Sequence, residues 1–405
     1  MSSNQKTEQG SVFGATLLVA GCCIGAGMLG LPVTSAIAGF QPSLILFTVS
    51  WLFMLCTGLL VLEVNLWFPG EVNIVTMAEK TLGIYGKIIA WVVFLLLFYC
   101  LMVAYVAGSG EVFTGLLDGL TGITLPNWAG STIMVAIFGI MIYLGTQAVD
   151  RFNRLLILGL ALTYIVLIVM GGSHVNFDYL KHKDWSAATL VLPAMIVSFG
   201  FHNLVPSLTT YLNHNVRNLR IALIVGSAIP LIIYIAWEAL ILGLVPVEGA
   251  NGFRAALSEG DITTSVLRNA VGSPLIVNVA HYFAFFAIVT SFLAVALSFV
   301  DFLSDGLHVK KTAIGKVFLC ALALIPPFIF ALVYPKIFLM ALNYAGGFGA
   351  VILFGLLPAA MCWSGRYIQK NNKLQIVPGG KVTLIIVFLC SLLVIGLQLI
   401  QELKG

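Results

Sequence analysis

The sequence predicts an all-α polytopic membrane protein with eleven transmembrane helices. Three observations carry that expectation. First, only 9% of its 405 residues are charged while 60% are hydrophobic, against about 25% charged in an ordinary soluble domain. Such a chain cannot cover a water-facing surface, so lipid has to be its solvent. Second, no charged residue occurs from Gly10 to Leu62, a run long enough for two membrane helices of roughly 20 residues each. Third, lysine and arginine alternate between successive loops in step with that number of crossings. No stretch alternates like a barrel strand, and helices and closed barrels are the only structures that span a bilayer.

The first apolar run divides at Gly39-Phe40-Gln41-Pro42, a turn sequence, into two helices. It is too long and too rich in glycine and proline for the apolar core of a cleaved signal peptide, so it is expected to stay as the first membrane helix. Further spans follow at about 88–110, 130–149, 155–172, 187–212, 219–246, 273–303, 314–334, 338–365 and 382–401. Two connections are long enough to hold structure of their own. Residues 68–87, with Pro69, Gly70, Glu71, Glu79 and Lys80, predict a short surface helix. Residues 247–272, with Glu248, Arg254, Glu259, Asp261 and Arg268, predict a small helical cap. Trp67, Trp128, Trp185 and Trp363 fall at expected helix ends, where interfacial anchors belong. The chain reads as one transmembrane domain over residues 1–405.

Charge sets the orientation. Fourteen of the twenty lysines and arginines, from Lys6 to Lys381, lie in one set of loops, and six, from Lys181 to Lys404, lie in the other. The positive-inside rule then puts the N-terminus in the cytoplasm and, with an odd number of crossings, the C-terminus on the far side. A net charge of +4 is too small to imply nucleic acid. The seven cysteines lie in apolar stretches without metal-ligand spacing and read as reduced packing residues. No cofactor or metal is implied.

Two helices carry interruptions. Residues 21–32 read Gly-Cys-Cys-Ile-Gly-Ala-Gly-Met-Leu-Gly-Leu-Pro, with four glycines and a proline in twelve residues. Each glycine costs a helix about 1 kcal/mol relative to alanine and a proline about 3. In lipid, broken backbone survives only inside protein or beside a water-filled cavity, and the N–H groups opening the second half-helix then suit an anion such as a carboxylate. Close packing of small residues is the alternative reading. Residues 198–207, Ser-Phe-Gly-Phe-His-Asn-Leu-Val-Pro-Ser, form a second interruption in the sixth helix. First and sixth helices correspond if the chain holds two five-helix repeats, here about 11–172 and 187–365 with an extra helix at 382–401. Paired interruptions at corresponding places point to a transporter's binding site.

These two motifs resemble the hydroxy and aromatic amino-acid permeases of bacteria. Leu59–Val64, Tyr105–Glu111, Gly226–Leu231, Thr290–Leu297 and Tyr334–Gly346 extend the likeness over nearly the whole chain. The resemblance implies a LeuT-type fold of two inverted repeats plus one helix. It also implies import of an aromatic amino acid, tyrosine first, across the bacterial inner membrane by proton symport with alternating access. Carried over by position, Gly25, Ala26 and Gly27 would hold the substrate carboxylate, and Ser198 to His202 the amine and the other wall. Phe199 and Phe201 would line the side-chain pocket. Tyr105 and Ser291 are further candidates for the pocket, and either of them, or Asn203, for a polar partner to a substrate hydroxyl. A monomer in lipid is expected, with substrate and proton as its small partners.

Ionisable groups within the spans are the candidates for coupling to the driving ion. Glu63, Glu111, Glu238 and Asp301 fall near expected helix ends and read as interfacial or capping groups, with Glu63 kept as an ion-coupling candidate. His202 falls near mid-depth, and its ordinary pKa of about 6.5 suits a proton carrier; a neutral histidine fixed by hydrogen bonds is the plainer reading. His281 is a weaker candidate. Thr290 and Ser291 stand where LeuT-type sodium symporters place hydroxyls, so sodium coupling stays open beside the proton, and a helix-packing pair bonded to its own backbone is the alternative. Tryptophan, serine and threonine remain alternative substrates. A channel would show a polar pore stripe, an intramembrane enzyme paired acids or a metal cluster, and an ATP-driven pump a phosphate loop. None is found, so the sequence predicts a transporter and no enzyme.

Overall fold

The computed structural model describes residues 10–70, 72–270, 273–370 and 375–404. Lys6, Glu71 and Lys373 lie outside them. In chain order the helices are α1 (Val12–Cys23), α2 (Leu31–Ala38), α3 (Phe40–Asn65), α4 (Ile74–Thr121), α5 (Asn127–Leu144) and α6 (Thr146–Gly172). Next come α7 (Leu192–Ser198), α8 (Val205–Tyr211), α9 (Val216–Leu244), α10 (Phe253–Glu259) and α11 (Thr263–Ala270). The last are α12 (Pro274–Leu307), α13 (Ala313–Val333), α14 (Phe338–Tyr344), α15 (Leu357–Trp363) and α16 (Gly380–Lys404). No strand occurs among the described residues.

Among the described residues, ten helical stretches are long and apolar enough to cross a membrane, where the sequence predicts eleven. The missing one is the 187–212 segment. It is cut into a 3-10 stretch, Trp185–Leu190, followed by α7 and α8, each of seven residues. Pro193 and Pro206 open these two short helices, each at the start of the first turn, where a missing N–H costs nothing. The surface helix expected before the third span instead runs straight into it. The two join as the 48-residue α4, with a kink at Gly83, whose φ of 73° only glycine adopts easily. The expected cap forms as α10 and α11.

Packing brings the interrupted helices to the middle. Helix α1 lies against α9, α12 against both α4 and α6, and α7 against Ala345–Leu356, a stretch of wide π-type turns joining α14 to α15. That stretch is glycine-rich because Gly346 backs directly onto the Pro193 carbonyl of α7, leaving no room for a side chain.

Three expectations about helix ends are corrected. Trp67 is buried (3% exposed) and is no interfacial anchor. Glu63 and Glu238 do not reach water or headgroups: both are buried. Glu63 is held by a partner 303 residues away, because Arg366 donates to it through Nε (2.7 Å) and Nη2 (2.6 Å). The Ile376 N–H adds a third bond, at 2.7 Å. The pair pins the end of α3 to the segments on either side of the α15–α16 connection. Asp301 stays at the surface, paired with Lys311.

Candidate functional site

Helix α1 ends at Cys23, and the chain then leaves the helical ladder. Ile24 is extended (φ −77°, ψ 116°), Gly25 is extended (φ −176°, ψ −154°), a 3-10 turn covers Ala26–Leu29, and α2 resumes at Leu31. The second interruption runs from Phe199 to Leu204 between α7 and α8, with a 3-10 turn at His202–Leu204. Both segments that the sequence marks as broken are therefore broken.

The two breaks face each other. A methyl group at Gly27 would come within 2.8 Å of the Ser198 hydroxyl, so the Ser198 side chain seats against the first break only because Gly27 has none. The Cys22 thiol reaches the Gly200 carbonyl at 3.4 Å. Helix α9 ties them together from behind. The Tyr234 hydroxyl lies 2.5 Å from the Cys23 carbonyl oxygen and 3.0 Å from that of Ser198. One phenol thus serves the last carbonyls of two half-helices, groups that a helix end leaves without partners. Three residues on, Trp237 Nε1 donates to the Met28 carbonyl at 2.9 Å, and from the cap the Thr263 hydroxyl donates to the Leu29 carbonyl at 2.6 Å.

The predicted residues fall as follows. The Ala26 N–H donates to the Ser291 hydroxyl at 2.9 Å, and Gly25 packs directly on the same hydroxyl. The Tyr105 phenol, on α4, has Ser291 and Cys22 as its electrostatic neighbours. Gly25, Ala26, Tyr105 and Ser291 thus form one cluster, and Gly27 and Ser198 join it across the gap. Phe199 and Phe201 are fully buried. Phe199 packs edge-on against Phe47 and Tyr234, and Phe201 stacks on His202 and lies over Gly58. His202 is clamped between the Phe201 and Phe354 rings, with centroids 5.0 and 4.5 Å away, and its Nε2 meets the Thr57 hydroxyl at 2.9 Å. The Thr290 hydroxyl points back along its own helix to the Phe286 and Ala287 carbonyls, at 2.7 and 3.1 Å. Glu63 lies apart from this cluster, in its pair with Arg366.

The two ends of the broken region are packed differently. On α12, Ala294 and Ser298 are exposed three and seven residues beyond Ser291, on the face that meets Gly25, and Cys22 beside the second break is exposed too. Toward the other end, α2 is buried along its whole length, with α10 packed on it and α11 packed on α9. The cap covers the α2 end of the site, and the exposed α12 residues lie toward its α1 end.

Sequence reasoning missed Tyr234, Trp237 and Thr263. Their signal was weak, because aromatic residues at i and i+3 in an apolar helix look like ordinary packing.

Comparison with known proteins identifies the family and the fold. The tryptophan/tyrosine permease family model matches residues 8–398. Tyrosine-specific transport system 1 of Haemophilus influenzae is 36% identical over 391 residues, covering 94% of each chain. The low affinity tryptophan permease of Escherichia coli is 28% identical over 97% of this chain and 96% of its own. Among solved structures, MhsT, crystallised with L-phenylalanine, superposes with a TM-score of 0.62 at 14% identity, covering 94% of this chain and 98% of its own. That likeness shows a shared LeuT-type fold. The chain is therefore a multi-pass membrane transport protein that belongs to the tryptophan/tyrosine permease family.

Proposed function

We propose that this permease imports tyrosine by proton symport, alternating the exposure of one site between the two faces of the bacterial inner membrane. The observation that carries the reading is the meeting of two broken half-helix pairs at Gly27 and Ser198, joined through Tyr234. Unwound backbone offers the Gly25 and Gly27 N–H groups, that of Ala26 being held by Ser291, for a carboxylate and carbonyls near Ser198 for an ammonium group. A zwitterion is what such a pair of ends fits. The neighbouring rings of Phe199 and Phe47 and the Tyr105 phenol suit an aromatic side chain with a hydroxyl at its tip. The relatives named for tyrosine support that choice over tryptophan or serine.

The exposed residues of α12 at one end and the buried cap at the other support alternating access, with the α1 end of the site lying toward the face of the N-terminus. By the charge distribution of the loops, that face is the cytoplasm. The proton is the ion that the family resemblance implies, and sodium, for which the Thr290 and Ser291 hydroxyls would be the ligands, is the alternative that the uptake measurement separates.

Purified protein in proteoliposomes should accumulate radiolabelled tyrosine under an imposed inward proton gradient, ahead of tryptophan and phenylalanine and far ahead of serine. Accumulation driven by sodium alone would reassign the ion, and a preference for tryptophan would reassign the substrate. Tyr234→Phe removes the shared hydroxyl and leaves two buried carbonyls short of a donor. At about 1–3 kcal/mol for an unmade buried hydrogen bond, tyrosine uptake should fall roughly 10- to 100-fold while membrane insertion stays normal. Wild-type uptake by that variant would remove the bridge from the transport site.

A further inference from the structure

Helix α9 carries a third residue on the stripe that grips the first broken helix. Tyr234 holds the end of α1 and Trp237 holds the 3-10 turn. Glu238, the next residue on, reaches α2, where Ser35 donates its hydroxyl to Glu238 Oε2 at 2.5 Å. The carboxyl group is 1% exposed, and its other oxygen, Oε1, has no hydrogen-bond partner. It lies six residues, about 9 Å, from the end of α9 at Leu244, under the part of the bundle that α10 and α11 cover.

No charged side chain compensates Glu238 among the described residues. Helix α2 has no titratable group, and α1 brings only Cys22 and Cys23. Glu63 of α3 is bound to Arg366, and the Tyr164 hydroxyl of α6 donates to the Ile233 carbonyl. Lys181 is paired with Asp178, and the His182 ring is bonded to the Ile37 carbonyl. On the cap, Arg254 of α10 is paired with Glu248, and Arg268 of α11 makes no ion pair with Glu238. On α9 itself, Tyr234 is spent on the two breaks, and Arg217 and Arg220 sit at the opposite end.

A carboxylate buried with one hydroxyl partner and one bare oxygen is a lone charge in a low dielectric, which proteins avoid at large cost. A carboxylic acid in the same place buries no net charge. We propose that Glu238 carries the coupled proton, because the cap and α2 close over it only when it is protonated. The proposal rests on the proton-symport reading above and assigns the proton to one atom. With the cap lifted, water reaches Glu238 and a proton from the outer side binds Oε1. Ser35 keeps its bond to Oε2, and the cap and α2 settle over a neutral group. The proton leaves to the water of the substrate cavity once that cavity opens to the cytoplasm, and the carboxylate then favours reopening of the cap. One proton enters and one leaves per cycle. The site stands on the outer half of the first broken helix, so closure over substrate and closure over the proton become one event.

Proteoliposome measurements on wild type, Glu238→Gln and Glu238→Asp test this. The amide is the isostere of the protonated acid. Glu238→Gln should therefore keep tyrosine counterflow within about 3-fold of wild type, a change under 1 kcal/mol, and lose accumulation under a proton gradient, its internal-to-external ratio falling to unity. Glu238→Asp keeps an ionisable group, one methylene short of Ser35, and should keep accumulation with a pH midpoint moved by about half a unit or more, a modest change in a proton's binding energy. Wild-type accumulation by Glu238→Gln overturns the proposal, as does loss of accumulation in His202→Gln with Glu238→Gln still driven. If Glu238→Gln fails to insert or to exchange tyrosine, Glu238→Asp decides, and a pH profile identical to wild type overturns the proposal. Failure of the wild type itself to respond to a proton gradient would instead sink the symport reading, and this assignment with it.

Discussion

Replacing Gly25 with leucine is expected to abolish tyrosine uptake while leaving the protein in the membrane at normal levels. The reason is space rather than backbone strain, since the extended conformation of Gly25 is open to any residue. A Cβ there collides with the Ser291 hydroxyl, the same hydroxyl that accepts from the Ala26 N–H. Any side chain must push Ser291 off the broken segment, and leucine would also fill the space between the two breaks. A smaller change isolates the cause. Gly25→Ala should lose uptake by about 10-fold or more, the price of one displaced buried hydrogen bond. In a Ser291→Ala background the same substitution should add little, because the colliding oxygen is gone. Additive losses in the double variant would show that Gly25 acts elsewhere, and normal uptake by Gly25→Leu would remove this segment from the site.

Glu63→Ala is expected to lose the fold rather than the function. The Glu63–Arg366 pair has almost no exposed surface, with side chains 0% and 1% accessible. Removing one member leaves the other charge buried alone, which destabilises by about 3–5 kcal/mol. Arg366 Nη1 already lacks a partner, so there is no slack in the arrangement. The variant should show a lower apparent Tm in detergent and a reduced yield from membranes. Replacing both residues with methionine should recover part of that loss, since well-packed apolar pairs often match buried ion pairs. If the single variant is as stable as wild type, the pair is not a structural pin. If the stable single variant also fails to couple uptake to the ion gradient, Glu63 returns as an ion-coupling group.

The features legible in the sequence were local ones. Charge-poor runs marked most of the spans. Glycine and proline within twelve residues of α1–α2, and the Gly200–His202–Pro206 cluster, marked the breaks, because backbone interruption leaves a composition signature at the place where it occurs. What escaped was long-range. Glu63 read as an interfacial group because Arg366 is 303 residues away, and Glu238 did so because Ser35 is 203 residues away. Distance from a helix end measures depth only when nothing packs over that end, and α10 and α11 cover Glu238. Thr290 and Ser291 are adjacent in sequence, yet only Ser291 turns toward the broken segment, a rotation of about 100° that separates neighbours on any helix.

The shared bond at Tyr234 also constrains how the molecule can move. A single phenolic hydrogen serves the ends of α1 and α7, so neither end can swing away without weakening its hold on that hydrogen and strengthening the other's. Such an interlock makes it hard for both gates to stand ajar at once. A carrier working against a gradient needs that property, because a continuous aqueous leak would dissipate the gradient that drives it.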